Sequence, residues 1–141
     1  MAIRKAEAVW EGGLKGGSGR MRLGSGAFEG KYSFSTRFEE EKGTNPEELV
    51  GAAHAGCYSM ALSAGLEKAG FPPKRIETKA DVYFGTVDGQ ARITKIHLES
   101  RAQVPGVSDD QFRKIAEETK SGCPISAALA AVEISLDARL V

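Results

Sequence analysis

The chain has 141 residues, with 19 basic and 19 acidic side chains and therefore no formal net charge. This length fits one domain that can bury a core without covalent cross-links, so residues 1–141 are predicted to form a single domain. A neutral chain without a basic and aromatic run is a poor match to nucleic acid or to an anionic membrane surface. The first 13 residues lack the apolar core of a signal peptide, which predicts a cytoplasmic protein.

The N-terminal third is predicted to consist of strands. Residues 2–10 have a strand-like texture, and a glycine-rich turn leads into a second strand at 20–23. From 32 to 38 aromatic residues and a threonine alternate with polar residues, the period of a half-buried strand. Arg37 is then expected on the polar face of this strand, opposite the aromatic side chains.

A long helix is predicted to begin at the sequence TNPEEL. Asn45 can cap it, Pro46 suits its first position, and acidic residues in its first turn complement the positive helix start. Its Ala, Gly and Ser content predicts a helix too polar and too short to span a bilayer. Its buried stripe is predicted from residues spaced by three or four, namely Leu49, Ala53, Cys57, Met60 and Ala64. The Cys57 thiol is therefore expected to face inward.

The second half of the chain alternates between strand and helix signals. Residues 76–84 and 94–98 are predicted to form a hairpin around the turn VDGQ. A helix follows from Ser108 to Gly122, then a short helical turn from Pro124, and residues 132–140 form a closing strand. Strand runs separated by helices, without regular βαβ alternation, predict an α+β fold with helices packed on a largely antiparallel sheet.

The two cysteines, Cys57 and Cys123, lie in unlike settings. Thiols stay reduced inside cells, so a cysteine pair there is more often catalytic, redox-active or metal-binding than a structural cross-link. A free cysteine on a stripe of small residues is, however, commonly inert packing. Cys123 precedes a helical turn whose amides would stabilise a thiolate. Local physics alone leaves open which of the two thiols attacks a substrate.

A reactive Cys57 would need a cation beside it, because burial among apolar atoms disfavours the thiolate. Arg37 is the best candidate, and Glu47 could fix its guanidinium through a two-pronged pairing, although Glu48 could take the same part. Ten helical residues separate Glu47 from Cys57, a rise of about 15 Å that a glutamate cannot span. A site that uses both residues would therefore take its arginine and glutamate from a second chain.

Other chemistry receives less support from the sequence. His54, three residues before Cys57, could act as a base or a metal ligand, although a histidine satisfied within the core is the commoner case. Two cysteines and two scattered histidines lack the ligand spacing of a zinc site. The chain contains no phosphate-binding loop, nucleophile elbow or cofactor fingerprint.

The segment FSTRFEEEKGTNPEELVGAAHAGCYSMALS, together with SGCPIS downstream, resembles the OsmC/Ohr family of osmotically inducible and organic hydroperoxide resistance proteins. The GAAHAGC sequence and the N-terminal WEG are similar to the OsmC branch. The resemblance covers essentially the whole chain. It implies an OsmC-like α+β fold, an intertwined homodimer with two interfacial sites, and a thiol-dependent peroxidase without a bound cofactor or metal.

By this resemblance Cys57 is the peroxide-attacking thiol, Cys123 the resolving thiol, Arg37 the activating arginine and Glu47 its partner. The implied cycle forms a sulfenic acid on Cys57 and then a disulfide between the cysteines, which a dithiol carried by a lipoylated protein would reduce. Gly56 stands where the family more often has alanine. The alternative is a non-catalytic dimer that senses redox state or binds an apolar ligand, for which a preorganised arginine and glutamate would be unnecessary.

Overall fold

The computed structural model describes residues 1–141 as six strands and four helices. In chain order the elements are β1 (Ala6–Glu11), β2 (Ser18–Leu23), β3 (Glu29–Tyr32), α1 (Phe34–Phe38), α2 (Pro46–Lys68), β4 (Arg75–Val87), β5 (Gln90–Gln103), α3 (Asp109–Gly122), α4 (Pro124–Ala128) and β6 (Glu133–Leu140). The chain divides into two compact units, a first unit of Met1–Leu49 and a second unit of Val50–Val141. Each unit contains one three-stranded sheet. A single domain over the full length stays a prediction.

The first unit is an antiparallel meander of β1, β2 and β3. The strand predicted from 32 to 38 is wrong beyond Tyr32, because the chain turns into the short helix α1. Ser33 caps this helix by accepting the backbone N–H of Thr36, and the Thr36 hydroxyl accepts the backbone N–H of Ser33 in return. This reciprocal capping satisfies two amides that a strand would pair elsewhere. Arg37 therefore lies in the last turn of a helix.

Helix α2 begins where the sequence predicts. The Asn45 side chain accepts the backbone N–H of Glu48 at 2.8 Å, and Pro46 is the first helical residue. After the helix Gly70 has a φ of +93°, a left-handed conformation that glycine adopts without strain. Pro46–Lys68 is also long and apolar enough, by length and composition, to cross a membrane, contrary to the expectation from its polarity. Core helices of globular proteins pass the same test.

The buried face of α2 differs from the predicted stripe. Met60 is 79% exposed, Ala53 and Ala64 are exposed, and Cys57 is only half-buried. Beyond the first turn, the buried residues lie one or two positions further along, at Gly51, His54, Tyr58, Leu62 and Leu66. A helix rich in Ala, Gly and Ser has little contrast between its faces, so packing of its larger side chains decides which face is buried. Cys57, which was expected to face inward, is half-buried and packs against the core.

The second unit is built on the β4–β5 hairpin. Asp88 and Gly89 both have positive φ angles, 50° and 76°, the conformation of a type I′ turn. The register shifts by one residue after Tyr83, and Thr94 is left without a partner in a β-bulge. Strand β6 pairs with the other edge of β5 in parallel, while the remaining strand pairings are antiparallel. The α+β fold class is confirmed.

The core of the second unit lies between this sheet and the helices. Its largest fully buried side chains come from α2, α3 and β5: Tyr58, Leu62, Leu66, Ile96, Leu98 and Phe112. Ser108 caps α3, and Gly122 ends it, as predicted. Cys123 then joins α3 to α4 and is itself part of the core. The core therefore fixes the position of Cys123 closely, whereas Cys57 lies at its border.

Candidate active site

The two cysteines meet in the second unit. Both are free thiols, with Cys57 half-buried and Cys123 fully buried. The Cys123 thiol is close enough to Cys57 to influence its ionisation, although the two residues are 66 positions apart in the sequence. Two thiols that influence each other in this way are placed to form a disulfide. The structure thus brings together two of the four predicted site residues.

The environment of Cys57 disfavours its thiolate. Burial is the largest cause and raises the pKa of the Cys57 thiol, and the neighbouring Cys123 raises this pKa further. The backbone N–H of Ile125 opposes these effects and lowers the Cys57 pKa through a hydrogen bond. No arginine or lysine is among these causes. A positive charge beside the sulfur would favour the Cys57 thiolate at neutral pH.

Cys123 occupies the N-cap of α4. Its sulfur accepts the backbone N–H of Ser126 at 3.3 Å, and its thiol donates to the Ser126 hydroxyl at 3.1 Å. Pro124 follows at the first helical position, where no amide hydrogen is needed. The sequence predicted this cap from the motif GCP. Both hydrogen bonds of the sulfur are therefore made with a single residue, Ser126.

Arg37 and Glu47 pair in the first unit. The Arg37 Nε lies 3.2 Å from both carboxylate oxygens of Glu47, and Nη2 lies 2.8 Å from Oε1. The Glu47 side chain is 10% exposed and that of Arg37 is 35% exposed, so the pair is partly shielded from water. The two-pronged contact expected from the sequence is present. The carboxylate that pairs with Arg37 in this way is that of Glu47, not that of the alternative, Glu48. The backbone N–H of Glu48 donates to the Asn45 side chain.

An aromatic pocket of about 270 Å³ lies beside Arg37 in the first unit. Phe34 and Phe38 stack with their ring centroids 4.8 Å apart, and the Arg37 guanidinium lies 5.3 Å from the Phe38 ring centroid. The remaining walls come from Trp10, Leu14, Tyr32 and Ser33. A guanidinium set in an apolar wall can bind a small polar group whose substituent is apolar.

A sequence model of the OsmC-like protein family matches residues 39–137, more than half of the chain. The chain belongs to the OsmC-like protein family. The matched region includes Glu47, Cys57 and Cys123, whereas Arg37 lies just before it. The family resemblance stated from the sequence is confirmed.

Relatives of this OsmC-like chain extend the match. Peroxiredoxin OsmC of Escherichia coli is 51% identical over 138 residues, which cover 97% of this chain and 96% of the relative. An organic hydroperoxide resistance protein of Xanthomonas axonopodis is 29% identical over 86 residues, which cover 60% of this chain and 58% of the relative.

Solved structures share the fold of the OsmC-like chain at lower identity. An organic hydroperoxide resistance protein from Elizabethkingia anophelis superposes with a TM-score of 0.79 at 21% identity, covering 99% of both chains. OhrB of Bacillus subtilis gives a TM-score of 0.74 at 20% identity, covering 96% of this chain and 98% of that one. These likenesses establish the OsmC-like fold.

His54 lies closer to the candidate site than the sequence indicated. His54 is fully buried on α2, and its Nε2 lies 2.7 Å from the Ser126 hydroxyl oxygen. Ser126 in turn contacts Cys123, which links the histidine to the second thiol. The 72 residues between His54 and Ser126 hid this link, and its only local signal was a histidine at helical spacing from Cys57. No cluster of three or more His, Cys, Asp and Glu side chains could hold a metal ion.

Proposed function

We propose that this chain is a cysteine-based peroxidase that reduces organic hydroperoxides and hydrogen peroxide and protects the cell against oxidative stress. The observation that carries the proposal is the pair of neighbouring free thiols, Cys57 and Cys123, within an OsmC-like fold. The names of the relatives, peroxiredoxin and organic hydroperoxide resistance protein, agree with this activity.

In the proposed cycle the Cys57 thiolate attacks the terminal peroxide oxygen. The O–O bond breaks, an alcohol or water leaves, and Cys57 becomes a sulfenic acid. Cys123 then attacks the Cys57 sulfur, the S–O bond breaks and water leaves as the disulfide forms. An external dithiol, for which a lipoylated protein is our candidate, reduces the disulfide by exchange and becomes oxidised. No cofactor or metal takes part in these steps.

The different exposure of the two thiols supports their assignment as attacking and resolving thiols. Cys57 is half-buried and can meet a substrate, whereas Cys123 is fully buried and contacts Cys57. A peroxide would reach the exposed thiol first, and the buried thiol would react with the sulfenic acid beside it. This supports Cys57 as the attacking thiol and Cys123 as the resolving thiol, a choice that local sequence could not make.

The cation that Cys57 lacks is proposed to be Arg37, held by Glu47. Helix α2 runs from Pro46 to Lys68, so the ten residues from Glu47 to Cys57 correspond to about 15 Å along its axis. We therefore infer a homodimer in which the Arg37–Glu47 pair of one chain serves Cys57 of the other. The guanidinium would stabilise the thiolate and polarise the peroxide.

The aromatic pocket beside Arg37 favours organic hydroperoxides over hydrogen peroxide. Stacked Phe34 and Phe38 offer an apolar surface to the substituent, while the guanidinium binds the peroxide oxygens. Two reduced thiols that can form a disulfide also suit a reducing compartment, and we place the protein in the cytoplasm.

Cysteine variants test the proposal directly. Cys57→Ser is expected to abolish peroxide turnover, while Cys123→Ser is expected to oxidise once and then to stall or over-oxidise. Mass spectrometry after one equivalent of cumene hydroperoxide should find the sulfenic acid on Cys57 of the Cys123→Ser protein. A sulfenic acid on Cys123 of the Cys57→Ser protein would reverse the roles. If the parent protein fails to turn over any peroxide with a dithiol, the chain is instead a redox sensor or an apolar-ligand-binding dimer.

A further inference from the structure

His54, Ser126 and Cys123 form a hydrogen-bonded chain in the core of the second unit. Cys123 Sγ lies 3.1 Å from Ser126 Oγ, which lies 2.7 Å from His54 Nε2. His54 is fully buried, and Ser126 is only 3% exposed. The chain begins at a thiol, passes through a hydroxyl and ends at an imidazole. Each member can both release and accept a proton.

We infer that these three hydrogen-bonded residues form a proton relay. In this relay Ser126 and His54 deprotonate Cys123 for its attack on the oxidised sulfur of Cys57. Ser126, which contacts the reacting sulfur, is a further catalytic residue, and His54 is a positioning residue that acts through it. The role in peroxide reduction rests on the proposed function, whereas the thiol chemistry can be tested without peroxide.

Burying the His54 imidazole costs folding free energy that a buried apolar side chain would not cost. Its Nδ1 has no hydrogen-bond partner although it is buried, and an unsatisfied buried polar atom costs about 1–3 kcal/mol. An apolar side chain at position 54 would fill the space without this cost. The 2.7 Å contact to Ser126 is the only hydrogen bond that the imidazole makes. The histidine is therefore better explained by proton chemistry than by packing.

Two protons move along the relay while the disulfide forms. The proton of Cys123 moves to Ser126 Oγ while the proton of Ser126 moves to His54 Nε2, so Nδ1 keeps its own proton and the imidazole becomes cationic. The Cys123 sulfur forms the new S–S bond, and the Cys57 S–O bond breaks to release hydroxide. The imidazolium then returns its proton, and water results. Cys123 is oxidised and the Cys57 sulfenic acid is reduced.

The state of His54 in the folded protein suits a proton acceptor. Burial lowers the pKa of His54 below its ordinary value of 6.5, so the imidazole is neutral at neutral pH. The other titratable groups facing the chain are Cys57 and Tyr58 of α2 and, through Tyr58, Glu117 of α3. Burial and the nearby charges of Glu117 and Cys123 raise the pKa of Tyr58, which keeps its hydroxyl neutral.

The second unit also offers a matched control. His97 and Ser135 form another histidine–serine pair with the same 2.7 Å separation, between β5 and β6. No hydrogen bond joins Ser135 to a cysteine. His97→Asn and Ser135→Ala remove the same kind of hydrogen bond without touching the relay.

The test uses 5,5′-dithiobis(2-nitrobenzoate), which forms a mixed disulfide on the more exposed Cys57 and releases one thionitrobenzoate. Attack by Cys123 then forms the internal disulfide and releases a second one, which absorbs visible light. We expect Ser126→Ala and His54→Gln to leave the first release nearly unchanged and to slow the second by about tenfold or more. In the parent the second release should slow as the pH falls and His54 becomes protonated, and His54→Gln should lose that dependence.

The control variants should behave as the parent in both releases, and circular dichroism should show that every variant is folded. If Ser126→Ala and His54→Gln release the second thionitrobenzoate at the parental rate and with the parental pH dependence, the relay is wrong. Slowing by the control variants to the same extent would also overturn it. Peroxide consumption by the same proteins separates the two proposals, because a protein inactive toward peroxide can still show a second release that depends on His54.

Discussion

The buried carboxylate of Glu47 makes the stability of the protein depend on Arg37. Its side chain is 10% exposed and makes two-pronged contact with Arg37. Removal of the arginine would leave a shielded carboxylate without its partner, at a cost of about 1–3 kcal/mol. Arg37 therefore contributes more to folding than the surface strand charge that the sequence suggested.

Replacement of Arg37 separates folding from activation. We expect Arg37→Met to raise the Cys57 pKa further in the assembled protein, to slow peroxide attack and to lower the melting temperature. The double variant Arg37→Met with Glu47→Gln should recover most of the stability but none of the activity. Thiolate absorbance against pH, single-turnover rates and thermal melts measure these three effects.

Arg20 supplies the control for this arginine. It forms an exposed ion pair with Glu29 at 3.4 Å, and exposed pairs contribute little to stability. Arg20→Met should therefore match the parent in Cys57 pKa, rate and melting temperature. An Arg37→Met protein with parental rate and Cys57 pKa would exclude Arg37 from the site.

The buried imidazole of His54 makes stability depend on pH. Burial lowers its folded pKa below 6.5, so the unfolded chain binds its proton at a higher pH than the folded one. The free energy of unfolding is therefore full above the unfolded pKa and falls as the pH drops from 6.5 toward the folded pKa. Urea unfolding across this window should show a shallower pH dependence for His54→Gln than for the parent. Equal slopes would contradict the prediction.

Helix α1 has only five residues, so its ends matter more than its interior. The reciprocal cap between Ser33 and Thr36 holds its first turn, and Asn45 donates from its side-chain amide to the Thr36 carbonyl. Isolated helices of this length do not form in water. The position of Arg37 therefore depends on these capping bonds.

Loss of the cap is expected to loosen α1. Ser33→Ala should reduce the free energy of unfolding by about 1 kcal/mol, and hydrogen exchange of the α1 amides should become faster. Ser35→Ala, inside the same helix, is the control and should be nearly neutral because its hydroxyl caps no backbone amide. If the two variants unfold at the same urea concentration, the capping contribution is overestimated.

At the scale of helices and strands, the sequence correctly predicts those elements whose ends carry clear capping or turn residues. Asn45 and Pro46 located the start of α2, Asp88 and Gly89 located the hairpin, and Ser108 located the start of α3. It failed at α1 because alternating aromatic residues imitate a strand, while the capping threonine replaces the more typical glutamate. It also misplaced the buried face of α2, where small side chains give weak periodicity and long-range packing decides.

At the scale of the whole molecule, two of the proposed site residues belong to one helix. Glu47 lies in the first turn of α2 and Cys57 near its middle. The sequence predicted the Arg37–Glu47 pairing from charge and the relation of Cys57 to Cys123 from family resemblance. It could not predict the link through Ser126 to His54, because no local pattern joins residues 72 positions apart.

The composite dimer predicts complementation between inactive chains. Mixing Cys57→Ser with Arg37→Met chains under subunit exchange should create one site with an intact Cys57 and an Arg37 from the other chain. Activity should return to about half of the parental value per dimer. Mixing Cys57→Ser with Cys123→Ser is the control and should restore none, since both thiols of a site belong to one chain. Heterodimers seen by native mass spectrometry without recovered activity would place the site within one chain.

The parallel pairing of β6 with β5 sets the order in which the second unit can be completed during synthesis. Residues 133–140 fill the open edge of β5 from Lys95 to Ala102, whereas the β4–β5 hairpin forms from neighbouring residues. Both cysteines precede β6 in the chain, so a chain that stops before residue 133 would carry both thiols but leave this edge of β5 unpaired. Strand β6 therefore completes the sheet of the second unit only once residues 133–140 have been synthesised.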